Sequence, residues 1–169
     1  MRTKMSGLEY KPLNSNYFRA ILCNVELVIH ARSGFVKVDD LAANVLLYDK
    51  QIESAHLEGL EDGEISTLNI RKDIKSFAGW SELSSTVNLV RDFCRLAQRE
   101  PQLLFMDITR NVVHDINGLY VHPYIALEYI RWLSPFYALY AQIILFRYQC
   151  CILVEDMKKV DLKKIISAV

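Results

Sequence analysis

Arg91, Arg95 and Arg99 stand four residues apart, a spacing that sets guanidinium groups along about 12 Å of one helix edge. A guanidinium is a planar fork of N–H donors that fits phosphate oxygens and the major-groove edge of guanine. Ser84 and Asn88 extend the same face with hydrogen-bonding groups. The competing reading is a solvated face, with Arg91 and Arg95 pairing locally with Asp92 or Glu100. Arg71, Lys72 and Lys75 precede this stretch and are placed for additional phosphate contacts. Lys37 and Arg32 flank one expected hairpin, and Arg110 lies in a second with Asn111 and Asn117. A hairpin wing presents such residues to the nucleic-acid backbone or minor groove.

Other reactive side chains do not assemble into a catalytic pattern. His122 and His114 have no partner ligand four residues on, and His122, directly before Pro123, is suited to capping a helix. The cysteines, Cys23, Cys94, Cys150 and Cys151, form no CxxC pair, so zinc is not expected and a reducing, intracellular compartment is. GxSxG, GxxxxGK[ST] and GxGxxG are all missing, and Asp39-Asp40 reads as helix capping rather than paired acid and base. The expectation is a non-enzyme without metal or cofactor.

The net charge is zero, with 20 Lys+Arg against 20 Asp+Glu. The zero is a sum over unlike segments. Basic residues lead up to Lys37 and again from Ile70 to Arg99, while Val38–Asn69 holds Asp39, Asp40, Asp49, Glu53, Glu58, Glu61, Asp62 and Glu64 against Lys50 alone. The most apolar stretch, Trp132–Phe146, is interrupted by Ser134, Pro135 and Gln142 and is shorter than a membrane span requires, so no membrane partner is expected.

The elements that must position the arginines follow from local pattern. Glu26–Ala31 and Phe35–Val38 around Ser33-Gly34 predict a β-hairpin. Asp39 is a candidate cap for a helix through Leu41, Ala42, Val45 and Leu46, and 49–69 reads as a long acidic loop or a helix fragment between loops. Ser81–Arg99 is helical, stopped by Pro101, with Leu83, Val87, Val90, Cys94 and Ala97 on the expected apolar stripe. Leu103–Ile108 and Val112–Val121 predict a second hairpin with Asn111 or Asn117 at its tip. A helix from Pro123 to Leu133 and another from Ser134-Pro135 to about Tyr148 follow, then an amphipathic tail. Trp80 and Trp132 are expected in the core. The domain reading is an N-terminal arm over 1–25, a binding domain over 26–149 and a helical tail over 150–169.

Gly118-Leu119-Tyr120-Val121-His122-Pro123-Tyr124-Ile125-Ala126-Leu127, then Trp132-Leu133-Ser134-Pro135 and Phe136-Tyr137-Ala138, resembles the C-terminal signature of KilA-N domains. Gly34–Val38 with Leu41-Ala42 resembles the family's first hairpin and helix, and Phe77–Trp80 with Thr86–Leu96 its middle region, so the likeness spans Glu26–Tyr148. The resemblance implies an α+β fold of small hairpins on a helical core, winged helix-turn-helix-like and distantly similar to fungal APSES domains. It also implies a DNA-binding protein of a large DNA virus or phage, working in the host cytoplasm or nucleus, with duplex DNA as the partner. The rival reading is a protein-interaction module, in which the acidic segment or the amphipathic tail engages another protein or a second copy.

Overall fold

The computed structural model describes residues 7–59 and 75–159, excepting the side chains of Leu57 and of 149–159. Strands begin well before the first expected hairpin. β1 (Glu9–Pro12) pairs antiparallel with β2 (Tyr17–Leu22), and β2 with β3 (Val25–His30). Asn14 makes the first reversal, its Oδ1 accepting from the N–H groups of Asn16 and Tyr17. The second is the two-residue loop Cys23-Asn24, with φ of 50° and 67°. Two positive φ values are type I′ geometry, which matches the twist of the flanking strands. The sheet therefore runs straight across residue 25, where an arm was expected to end.

β4 (Val36–Lys37) completes the expected hairpin, closed by Gly34 at φ +74°. β5 (Phe105–Ile108) and β6 (Gly118–Val121) finish a six-stranded sheet, in the order β1-β2-β3-β4-β6-β5 with every neighbour antiparallel. Ile108 faces Gly118 in the register, so residues 109–117 form the connection. Neither Asn is its tip. Asn117 Oδ1 accepts from the Asn111 N–H while its Nδ2 donates to the Asn111 carbonyl, and together they staple the loop's base.

Among the described residues five α-helices cover the sheet and its ends: α1 (Leu41–Glu58), α2 (Phe77–Ser81), α3 (Ser84–Ala97), α4 (Pro123–Leu133) and α5 (Pro135–Lys159). The α+β class is as the sequence implies, but α1 is longer than the pattern suggests and takes Asp49 and Glu53 into a helix. Asp39 does not cap it. Its carboxylate instead accepts from the Leu119 N–H of β6. α5 likewise continues through the expected boundary at 149–150.

The signature residues explain the α4–α5 corner. His122 Nδ1 accepts the Tyr124 N–H, and Pro123 takes the first helical position, where its missing donor costs nothing. The Ser134 hydroxyl accepts the Tyr137 N–H and donates to buried Asp49 of α1. Burial pushes the Asp49 carboxyl above its ordinary range, and the Ser134 bond partly opposes that.

Strand alternation divides the apolar residues between two faces. Val25, Leu27, Ile29, Val36 and Val121 meet Ile125, Tyr129, Tyr137 and Ile144 in the main core. On the other face Tyr17, Phe35 and Tyr120 pack with Ile116 of the 109–117 loop, which is folded against the sheet. Trp80 is buried, whereas Trp132 is half-buried.

Candidate nucleic-acid interface

Thr86 and Cys94 are the buried residues of α3, with Leu89, Val90 and Phe93 half-buried on the same side. The packed face is thus rotated from the expected stripe: Leu83 and Val87 are exposed, as is Ala97. The rotation follows from Phe93, which stacks on Tyr124 with centroids 5.0 Å apart and also meets His122 at 4.9 Å. An aromatic ring contributes more buried area than a valine, so it sets the azimuth.

Arg91 and Arg95 stand on the opposite, solvent-facing side. The Arg91 guanidinium donates to Asn88 Oδ1 at 2.8 Å, a neutral partner, and among the described residues no carboxylate pairs with it. Arg95 meets Asp92 at 3.5 Å, with its side chain 77% exposed. Exposed ion pairs of this kind contribute about 0–1 kcal/mol, so a polyanion competes readily for the guanidinium. Arg99 departs from the helical stripe. α3 ends at Ala97, Gln98 adopts a left-handed conformation at φ 53°, and the Arg99 N–H turns back to the Cys94 carbonyl. Arg99 is exposed beside His122, whose pKa is lowered by burial and then by the Arg99 charge.

The supporting cations divide. Lys75 is half-buried, with its ammonium 4.6 Å from the centre of the Trp132 ring, a cation–π contact. Arg110 is exposed in the 109–117 loop at φ 63°. Beside it Val112 is 95% exposed, a loop-tip position evident only once Asn111 and Asn117 close the base. Lys37 departs from its expected place on the hairpin surface. It is buried, and its ammonium reaches Asp40 at 2.8 Å and the Asp115 carbonyl at 3.0 Å. The Asp115 side chain in turn meets Arg19 at 3.1 Å. Lys37 is a strut between β4 and the loop, not an exposed wing residue. Arg71 and Lys72 lie outside the described residues.

Behind α3 lies an apolar cavity of about 370 Å³, lined by Phe77, Trp80, Thr86, Val90, Cys94 and Phe105 among others. Its lining holds no acid–base pair. Among the described residues no three His, Cys, Asp or Glu side chains gather in a metal-binding group.

The model of the KilA-N domain matches residues 65–150, half of the chain, taking in α2, α3, both strands of the second hairpin, α4 and the start of α5. The β3–β4 hairpin and α1 fall outside the match. No curated protein and no solved structure matches the chain.

Proposed function

The chain belongs to the KilA-N domain family, a DNA-binding family, and on that premise we propose that it is a non-catalytic binder of duplex DNA. The observation that carries the reading is the outward face of α3 in the matched region, where, among the described residues, Arg91 and Arg95 have local, exposed partners. Arg99 and Arg110 are exposed cations that add phosphate contacts in this proposal, with Lys75 contributing from the Trp132 ring and Arg71 and Lys72 from the segment before α2. The 109–117 loop takes the part of a wing, pinned at its base and folded partly onto the sheet. A viral or phage source, with action in host cytoplasm or nucleus, belongs to the same proposal.

Phosphate contact makes affinity fall with salt, because each neutralised phosphate releases condensed counterions. Replacing Arg91 and Arg95 together by Ala is expected to weaken duplex binding about tenfold or more at moderate salt, and to make the log–log salt slope shallower by about two. Fluorescence anisotropy of a labelled duplex across a salt series measures both. Unaltered affinity and slope would remove the α3 face from the interface.

A further inference from the structure

The cavity behind α3 is walled by four elements: Phe77 and Trp80 come from α2, Phe105 from β5 and Ile125 from α4 to meet the side chains of α3. Its lining is graded by exposure. Trp80, Thr86, Cys94 and Ile125 are buried and form the floor, whereas Val87, Arg91 and Pro101 are exposed and form the rim. Three rings make one wall, with Phe77 standing 5.6 Å from Trp80 and 6.4 Å from Phe105, centre to centre. A cavity of roughly 150 Å³ holds benzene, so about 370 Å³ has room for two fused rings and their substituents. Two polar groups interrupt the apolar lining. Thr86 is 3% exposed, yet among the described residues its hydroxyl has no hydrogen-bond partner. A buried hydroxyl in that state destabilises the fold, and a ligand that pairs with it removes the cost. Arg91 is the one charged residue among the described lining, and its bond to Asn88 takes up one of the five guanidinium donors.

We propose that this cavity binds a small aromatic carboxylate that carries a hydroxyl at the end remote from its acid group. The rings lie against Phe77, Trp80 and Phe105, the carboxylate stays at the rim to accept from Arg91, and the hydroxyl pairs with Thr86. Charge selects an acid. A cation would be repelled by Arg91, and a neutral molecule forgoes the charge-assisted bond. The wall selects an aromatic body, because edge-to-face and offset contacts with three rings add to burial in a way a methylene chain cannot match. Spacing selects a bifunctional molecule. Thr86 and Arg91 are five positions apart on α3, roughly 7.5 Å along its axis, which the long dimension of a fused two-ring system spans.

The test needs no DNA, so its outcome is separate from that of the duplex proposal. Calorimetric titration of the full chain with 6-hydroxy-2-naphthoate should show saturable binding at a single site. The neutral isostere 6-hydroxy-2-naphthamide should bind about tenfold or more weakly, and 2-naphthoate, which lacks the hydroxyl, about two- to tenfold more weakly. Arg91→Gln should abolish the preference for acid over amide and keep the preference for the hydroxyl. Thr86→Val should do the reverse. A general loosening of the fold would weaken all three ligands together and leave neither preference selectively lost. Absence of saturable binding overturns the proposal. An acid preference that survives Arg91→Gln, or a hydroxyl preference that survives Thr86→Val, overturns it by placing the ligand elsewhere. Equal binding of a straight-chain aliphatic acid of the same size overturns the aromatic class. Should Thr86→Val fail to fold, Val90→Phe decides, since it fills the cavity from a half-buried position, and undiminished binding there overturns the site.

Discussion

At the head of α4 the His122 ring accepts the Tyr124 N–H through Nδ1 while packed against Phe35 and Phe93. Accepting that N–H requires the neutral imidazole, with its proton on Nε2. Burial first, and the Arg99 charge second, hold the pKa below the ordinary 6.5. In the unfolded chain the histidine takes up its proton at the ordinary value, so the folded state's advantage is complete above about 6.5 and is lost as pH falls through the lowered value. Arg99→Gln is expected to move the His122 pKa back towards 6.5, measured by NMR titration of the ring protons. Adding duplex to the native chain should act in the same direction if a phosphate neutralises Arg99; an unmoved titration would take Arg99 out of the interface. The capping role of His122 was legible because it depends on its immediate neighbour, Pro123. The burial of Lys37 was not, because its ammonium is held by Asp115, 78 residues away. Asp49 was hidden likewise: it sits in an acidic run, and the Ser134 hydroxyl, brought in by the α4–α5 corner, gives its inward carboxyl a partner.

Elements were legible where periodicity is strong and local, as in α3, α4 and the Gly34 hairpin, and illegible where the turn chemistry is atypical. The β2–β3 hairpin turns on Cys23-Asn24 in a geometry usually supplied by Asn-Gly, and β1 ends in a proline that only an edge strand accommodates. The apolar face of α3 was misplaced because Leu83 and Val87 fit a helical stripe in the sequence, while the Tyr124 and His122 rings that draw Phe93 inward belong to another element. The same helix ends with a non-glycine residue, Gln98, in left-handed conformation. A side chain there crowds its own backbone at a cost of roughly 1 kcal/mol that glycine does not incur. Gln98→Gly is therefore expected to raise stability by about 0.5–1 kcal/mol. A thermal melt followed by circular dichroism would show this as a higher midpoint. A lowered midpoint would mean that the Gln98 side chain stabilises the turn by some contact of its own.

Over the whole molecule the zero net charge conceals a division of labour between cations that hold the fold together and cations left in water. Arg19 and Lys37 are spent on Glu26, Asp40 and Asp115, tying the sheet to the 109–117 loop, whereas Arg91, Arg95, Arg99 and Arg110 are exposed. That division was beyond the sequence, since a count of charges cannot distinguish a strut from a contact. The sheet shows the same interdependence. β4 is only two residues long, and in its antiparallel register with β3 the position opposite Glu26 falls at Asp39, where the chain has already turned towards α1. The Glu26 N–H and C=O are thus left without a strand partner on that side. Tyr137 of α5 supplies one: its hydroxyl donates to the Glu26 carbonyl at 2.7 Å and accepts the Glu26 N–H at 3.1 Å. Burial raises the phenol's pKa, so the proton needed for donation is retained across the whole accessible pH range. Tyr137→Phe keeps the ring, which fills the core between Tyr48 and the sheet, and removes only the bridge. Two backbone groups would lose their partner, at an expected cost of about 1–3 kcal/mol in a denaturant titration. Hydrogen exchange locates the effect: the Glu26 amide should exchange faster relative to Leu27, which is bonded within the strand pair. Equal protection of Glu26 in the two proteins would mean that water, rather than α5, completes the edge of β3.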